Sequence, residues 1–134
     1  MRIHQGVDLV ELGRFQELFL RHPSLARDLF TDQERAYCES RRDAPVHFAG
    51  RFAAKEAALK ALGIGITTGI DRAFQEVEVA RTGAGRPTLR FHGWMAKLGE
   101  RLRVRQGTVS ISHTAGYVVA TVILLSGGEG VTRP

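Results

Sequence analysis

The chain opens on an alternating apolar segment. Ile3–Val10 reads as a strand through Val7, Leu9 and Val10, with Asp8 set among them. An unpaired carboxylate between such neighbours is costly, so Asp8 needs a cation, a hydrogen-bond donor or an exposed strand face. From Glu11 the period changes. Leu12, Phe15, Leu18 and Phe19 recur at helical spacing as far as Leu20, with Arg14 and Glu17 on the other face and Arg21 just beyond. Pro23 breaks the pattern, and Ser24–Leu29 is predicted as a short helix. Thr31-Asp32-Gln33-Glu34 has the form of a capping box. The Thr31 hydroxyl accepts from the Glu34 amide, the Glu34 carboxylate reaches back, and a helix follows over Asp32–Glu39.

Ser40–Pro45 is polar and is predicted as a loop. Val46–Leu62 is the longest helical pattern, with Phe48, Phe52, Leu59 and several alanines as its apolar stripe and Gly63 and Gly65 as its stop. Gly65–Asp71 is expected to be a flexible loop. Glu76–Val79 alternates strictly, Gly83-Ala84-Gly85 is a turn and Arg86–Phe91 returns, which together predict a hairpin. Trp94, Leu98 and Leu102 mark an amphipathic helix. Thr108–Ser112 and Tyr117–Leu125 are two further strands, joined across His113-Thr114-Ala115-Gly116. Strands and helices are unevenly segregated, which predicts the α+β class. One domain over residues 1–125 is expected, with 126–134 as a frayed tail.

Composition narrows the function only a little. The 134 residues suffice for one core, and 43% hydrophobic with 25% charged residues is a globular balance. A net charge of +5 favours an anionic partner without choosing among protein, nucleotide and nucleic acid. Cys38 is the only cysteine, so no internal disulfide is possible and a reducing cytosol is expected. The apolar run at Tyr117–Leu125 is far short of the ~20 residues of a membrane helix, and the start has no apolar signal core. A cytoplasmic protein with no membrane partner is expected.

The chemistry concentrates in Arg51-Phe52-Ala53-Ala54-Lys55-Glu56-Ala57-Ala58-Leu59-Lys60-Ala61. One carboxylate stands among three cations there, a combination suited to a divalent metal beside phosphate oxygens. Asp8 could supply a second carboxylate from another element. The plainer alternative pairs Glu56 with Lys60 on a solvated helix face. His113, at a strand end, could donate to a phosphate or move a proton near neutral pH. The sequence lacks a Gly-x-Ser-x-Gly elbow, a phosphate-binding glycine loop and histidine–cysteine spacing for zinc.

The joint order of these segments carries a resemblance. Gly6-Val7-Asp8-Leu9-Val10, Arg14, Phe30-Thr31-x-x-Glu34, Arg51-Phe52-Ala53-Ala54-Lys55-Glu56-Ala57-x-x-Lys60-Ala61, Gly85-Arg86-Pro87 and Val109-Ser110-Ile111-Ser112-His113-Thr114 together resemble the holo-acyl-carrier-protein synthases. These are the small 4′-phosphopantetheinyl transferases. The likeness runs from about Val7 to Leu124; His4-Gln5 replaces a small residue common before Gly6, and the tail is long.

The resemblance implies a single-domain fold with helices packed on an antiparallel sheet. It implies transfer of the 4′-phosphopantetheine of coenzyme A to a serine of an acidic apo acyl carrier protein, in fatty acid or polyketide biosynthesis, releasing adenosine 3′,5′-bisphosphate. Asp8 and Glu56 would hold magnesium, and Lys60 would stabilise the leaving phosphate. Arg51, Lys55, Arg86, Pro87, His113 and Thr114 would hold coenzyme A. The serine proton would leave through a water relayed by Asp8 or Glu56, or directly to Glu56. Arg14, Leu18 and Arg21 would dock the carrier, and a homotrimer with shared sites is expected. Two other readings fit the charge. One is a non-catalytic RNA-binding module, which the helical placement of most of the seven phenylalanines disfavours. The other is a two-carboxylate magnesium phosphodiesterase.

Overall fold

A computed structural model describes residues 1–64 and 70–127. Strand β1 (Arg2–Glu11) leads directly into α1 (Leu12–Arg21), followed by α2 (Leu25–Leu29), α3 (Asp32–Glu39) and the long α4 (Ala44–Ala61). Next come α5 (Ile70–Glu76), β2 (Val77–Arg81), β3 (Pro87–Phe91), α6 (Gly93–Arg101), β4 (Val104–Thr114) and β5 (Tyr117–Ser126). One antiparallel sheet has the order β1-β5-β4, and β2 and β3 form a separate antiparallel hairpin. The α+β class and the antiparallel sheet under packed helices are both as expected.

Local chemistry accounts for most boundaries. Thr31 Oγ1 accepts from the Glu34 amide at 3.1 Å and Glu34 Oε1 accepts from the Thr31 amide at 2.8 Å, so the capping box is real. Gly63, just past α4, has φ +77°, the left-handed conformation that ends a helix. Ala115 and Gly116 both have positive φ, making the tight two-residue turn that joins β4 to β5.

Four expectations change. The loop over Ser40–Pro45 is shorter, because α4 starts at Ala44 with Pro45 in its first turn, where proline lacks no needed donor. The loop at Gly65–Asp71 lies outside the described residues at 65–69, and Ile70 and Asp71 belong to α5, a helix that the pattern did not predict. Strand β4 runs from Val104 to Thr114 rather than Thr108 to Ser112, so His113 and Thr114 belong to the strand and only Ala115 and Gly116 form the connection. The tail was expected from Ser126, but Ser126 ends β5, where its hydroxyl bonds His4 Nε2 at 2.7 Å. Residues 128–134 lie outside the described part.

Alternation along β1 separates two faces. Gly6, Asp8 and Val10 point towards α4, whereas Ile3, Val7 and Leu9 point away and are 71%, 51% and 63% exposed. Helix α4 meets the sheet through Ala53, Ala54, Ala57, Ala58 and Ala61, all buried. Six phenylalanines link the helices to one another. Phe15 contacts Phe19 and Phe52, Phe30 contacts Phe19 and Phe48, and Phe52 contacts Phe74, with centroids 4.5–6.0 Å apart.

Candidate active site

Two distant segments meet where α4 crosses β1. The Asp8 side chain leaves the inner face of the strand and lines one cleft together with Glu56 of α4. Lys60, one turn further along α4, donates to Asp8 Oδ1 and to the Val7 carbonyl, both at 3.1 Å. Lys60 therefore neutralises the strand aspartate rather than pairing only with its helical neighbour Glu56. Its side chain is about half exposed and free to turn.

Partial burial, then the Asp8 charge and its hydrogen bond, push Glu56 up from the usual 4.5 to about 7, with Lys60 opposing. Once Glu56 gives up its proton, two facing carboxylates share one lysine and need a further positive charge. That donor set fits a hard divalent cation, which takes a few carboxylate oxygens and completes its shell with water and phosphate. Among the described residues no cluster of three or more histidine, cysteine or acidic side chains occurs, so a zinc-type cage is not formed. The cleft beside the pair is walled by Arg14, Phe15 and Leu18 of α1 with Phe52 and Tyr117. Arg21 stands outside that wall and pairs with Glu17 at 2.8 Å on the solvated face of α1.

A second cavity lies on the other flank of α4. Arg51, His47 and Gly50 line it with Tyr37 of α3, Arg81 and Pro87 of the hairpin, and Ile111 and His113 of β4. Three guanidinium groups approach the Tyr37 ring, Arg51 at 4.3 Å, Arg81 at 4.5 Å and Arg41 at 5.5 Å. Arg51 is 6% exposed and its Nε has no partner. A buried arginine without a carboxylate suits an incoming anion. Arg86 lies next door, in a groove with Pro87, Thr88 and Ser110. Thr114 ends β4 at the exposed turn.

A model of the 4′-phosphopantetheinyl transferase superfamily matches residues 5–122. The chain belongs to this family. Relatives include the holo-[acyl-carrier-protein] synthase of Koribacter versatilis, 42% identical over 92% of this chain and 98% of its own. That of Moorella thermoacetica is 38% identical over 92% and 94%. Among solved structures, the Chronobacterium ammoniagenes ACPS–CoA complex superposes with a TM-score of 0.84 at 32% identity, over 96% of this chain and all of that one. The Helicobacter pylori holo-[acyl-carrier-protein] synthase in complex with coenzyme A gives 0.77 at 25% identity, over 90% and 99%.

Within this transferase family member, one expected ligand contact is corrected. Lys55 was expected to hold coenzyme A phosphates, yet it is fully buried. Its Nζ donates to Glu34 Oε1 at 2.7 Å and to the Phe74 and Val77 carbonyls at 2.6 and 2.8 Å, so no donor remains for a ligand. Burial pulls its pKa down and Glu34 opposes that shift. At about 100° per residue, Arg51 and Lys55 share one side of α4 while Glu56 and Lys60 share another. The expected ring of three cations around one carboxylate is thus split between two flanks. Sequence reasoning also missed Tyr37, His47 and Arg81. Only their convergence in space marks them, because no spacing links α3, α4 and the hairpin.

Cys38 is buried and free, and burial raises its thiol to about 12, which keeps it unreactive. No described helix is long and apolar enough to cross a membrane. The phenylalanines that an RNA-binding face would need for base stacking pack against one another instead.

Proposed function

We propose that this chain transfers the 4′-phosphopantetheine of coenzyme A to a serine of an apo acyl carrier protein, with Asp8 and Glu56 as the centre of the reaction. The observation that carries this is that the two carboxylates, 48 sequence positions apart, line one cleft with Lys60 as the neighbouring cation. Magnesium is the fitting ion, held by the two carboxylates. When bound it neutralises the pyrophosphate and favours in-line phosphoryl transfer.

The chain's own residues do the rest. Lys60 turns from Asp8 to the phosphate on which charge builds as adenosine 3′,5′-bisphosphate departs. Arg51, with His113 and Pro87, receives the nucleotide end of coenzyme A, and Arg86 supplies a further cation at the hairpin turn. The serine proton leaves by way of the Asp8–Glu56 carboxylates. The nucleophile belongs to the partner, which agrees with the lack of an activated serine beside the pair. Arg14 and Leu18, on the wall of the cleft, meet the acidic carrier, and Arg21 adds a peripheral charge.

The two flanks of α4 support a shared site. The carboxylate pair opens on one side and the Arg51 cavity on the other, so one coenzyme A is best held between copies. The outer face of the β1-β5-β4 sheet supplies the surface for a homotrimer: Ile3, Val7 and Leu9 are exposed together with Ile123, 39% exposed. The setting is cytoplasmic, where the acidic carrier and coenzyme A meet.

The test is mass spectrometry of an apo acyl carrier protein incubated with the chain, coenzyme A and magnesium. A gain of one phosphopantetheine is expected. An unmodified carrier, or bisphosphate released without any carrier, would refute the assignment.

A further inference from the structure

Helix α4 carries Glu56 and Arg51, and small residues dominate its contact with the sheet. Ala53, Ala54, Ala57, Ala58 and Ala61 are buried, Gly6 of β1 lies against the backbone of Ala57 and Ala61, and Ile111 and Val118 reach in beside Gly50. Such close packing sets how near the helix lies to the sheet, whereas short side chains interdigitate shallowly and restrain its rotation less than long ones would. A directional contact on the far side of the helix adds that restraint.

Lys55 has the geometry for that. Its ammonium has three N–H donors, and all three are used by acceptors on three different elements: Glu34 of α3, Phe74 of α5 and Val77 of β2. It also lies 5.5 Å from the Phe30 ring. Glu34 is fixed just as fully. Its Oε1 accepts from the Thr31 amide and its Oε2 from the Val79 amide at 2.7 Å, so the carboxylate cannot follow the lysine if α4 moves. Thr31 in turn donates to Glu78 at 2.8 Å, and Glu78 bonds His92 at 2.8 Å. The pin is therefore tied through α3 and the hairpin to the surface.

We infer that Lys55 is a positioning residue: its buried contacts with Glu34, Phe74 and Val77 set the register of α4, and so hold Glu56 against Asp8. Glu56 is the next residue in the chain, so a roll of the helix about Lys55 displaces its carboxylate directly. The inference rests on the carboxylate pair being the reacting centre proposed above. It adds that the pair is assembled by an ion pair that no ligand touches.

The test is the double variant Lys55→Met with Glu34→Gln. Lys55→Met alone strands a buried carboxylate and is expected to lower the melting temperature sharply. The double variant removes both charges and keeps one oxygen at position 34 for the Thr31 amide while its NH2 faces the Val79 amide, so part of that loss should be recovered. The refolded double variant should nevertheless show kcat reduced tenfold or more and Mn2+ affinity, read by electron paramagnetic resonance, reduced by a similar factor. Kinetics and metal affinity within twofold of the parent would overturn the inference. Should the double variant not fold, Lys55→Arg keeps the charge but cannot donate to all three acceptors from one nitrogen, and the same readouts apply. A parent chain that binds no Mn2+ would refute the metal reading instead. The register is then read without metal, from the nuclear Overhauser contact between Gly6 Hα and the Ala61 amide. A contact that persists unchanged in the variant would overturn the pin.

Discussion

Gly6 of β1 lies directly against the backbone of Ala57 in α4: a Cβ at Gly6 would stand 1.8 Å from the Ala57 carbonyl oxygen. Asp8 is the next residue on the same face of the strand, and Glu56 precedes Ala57 on the helix. The closeness of backbone to backbone at this crossing is therefore what brings the two carboxylates within hydrogen-bonding reach. Gly6→Ala should cost at least the roughly 1–3 kcal/mol of ordinary overpacking, because the obstructing atom is main chain and cannot rotate away. Thermal unfolding should show that loss, and the transfer rate of the folded fraction should fall with it. A melting temperature and rate equal to the parent would mean that the helix is not seated as described.

Glu56→Gln keeps the shape of the side chain and removes its charge. Transfer should fall by at least a hundredfold, since the remaining carboxylate holds a divalent cation poorly. The fold should be retained, because the change relieves the repulsion between Glu56 and Asp8. Initial rates with circular dichroism on the same samples separate the two effects, and retained turnover would exclude Glu56 from the centre.

The raised Glu56 pKa also gives metal-free stability a sign. The folded state holds the Glu56 proton up to about pH 7, whereas the unfolded chain releases it near 4.5. Between these values the folded state binds more protons, so stability must fall as pH rises through this window. With allowance for solvent screening, the contribution is roughly 1–2 kcal/mol. Chemical denaturation in chelator from pH 4.5 to 7.5 should show this component, and it should be missing from Glu56→Gln. Excess magnesium should stabilise the parent most at the upper end of the range.

Arg14 and Arg21 look equivalent in the sequence, four and three residues from Leu18 along α1. In the structure Arg14 walls the carboxylate cleft while Arg21 is engaged by Glu17. Arg14→Glu should raise the KM for the carrier protein at least tenfold with the coenzyme A KM nearly unchanged, and Arg21→Glu should have a smaller effect. Equal changes in both KM values would remove Arg14 from the docking surface.

How much of this was legible in the chain depends on the range of the interaction. Local signals survived. The capping box at Thr31–Glu34, the glycine stop at Gly63 and the alternation of β1 each act within a few residues, and each appears where expected. Helix α5 did not announce itself, because its seven residues are too few for a period to emerge. Glu34 was read only as a cap. Its second role, as the counterion of Lys55, spans the α3–α4 connection and cannot be seen in local pattern. Lysine is so seldom fully buried that Lys55 was expected at the ligand, along with Arg51. The residue types alone suggest Asp8 as a second carboxylate beside Glu56, but spacing favours Lys60 as the partner of Glu56, and only the resemblance gives the two acids a joint role.

An exposed apolar sheet face predicts assembly. Ile3→Asp places a charge on that face away from the carboxylate cleft. Sedimentation velocity should find the parent as a trimer and the variant as a smaller species with weakened transfer. A parent that sediments as a fully active monomer would exclude sites shared between copies.

The most direct measurement is an anomalous difference map from crystals grown with Mn2+ and coenzyme A. One strong peak bridging the Asp8 and Glu56 carboxylates, with a phosphate oxygen in its shell, is the expected result. Manganese bound elsewhere, with the two carboxylates still hydrogen-bonded to each other beside bound coenzyme A, would contradict their joint role.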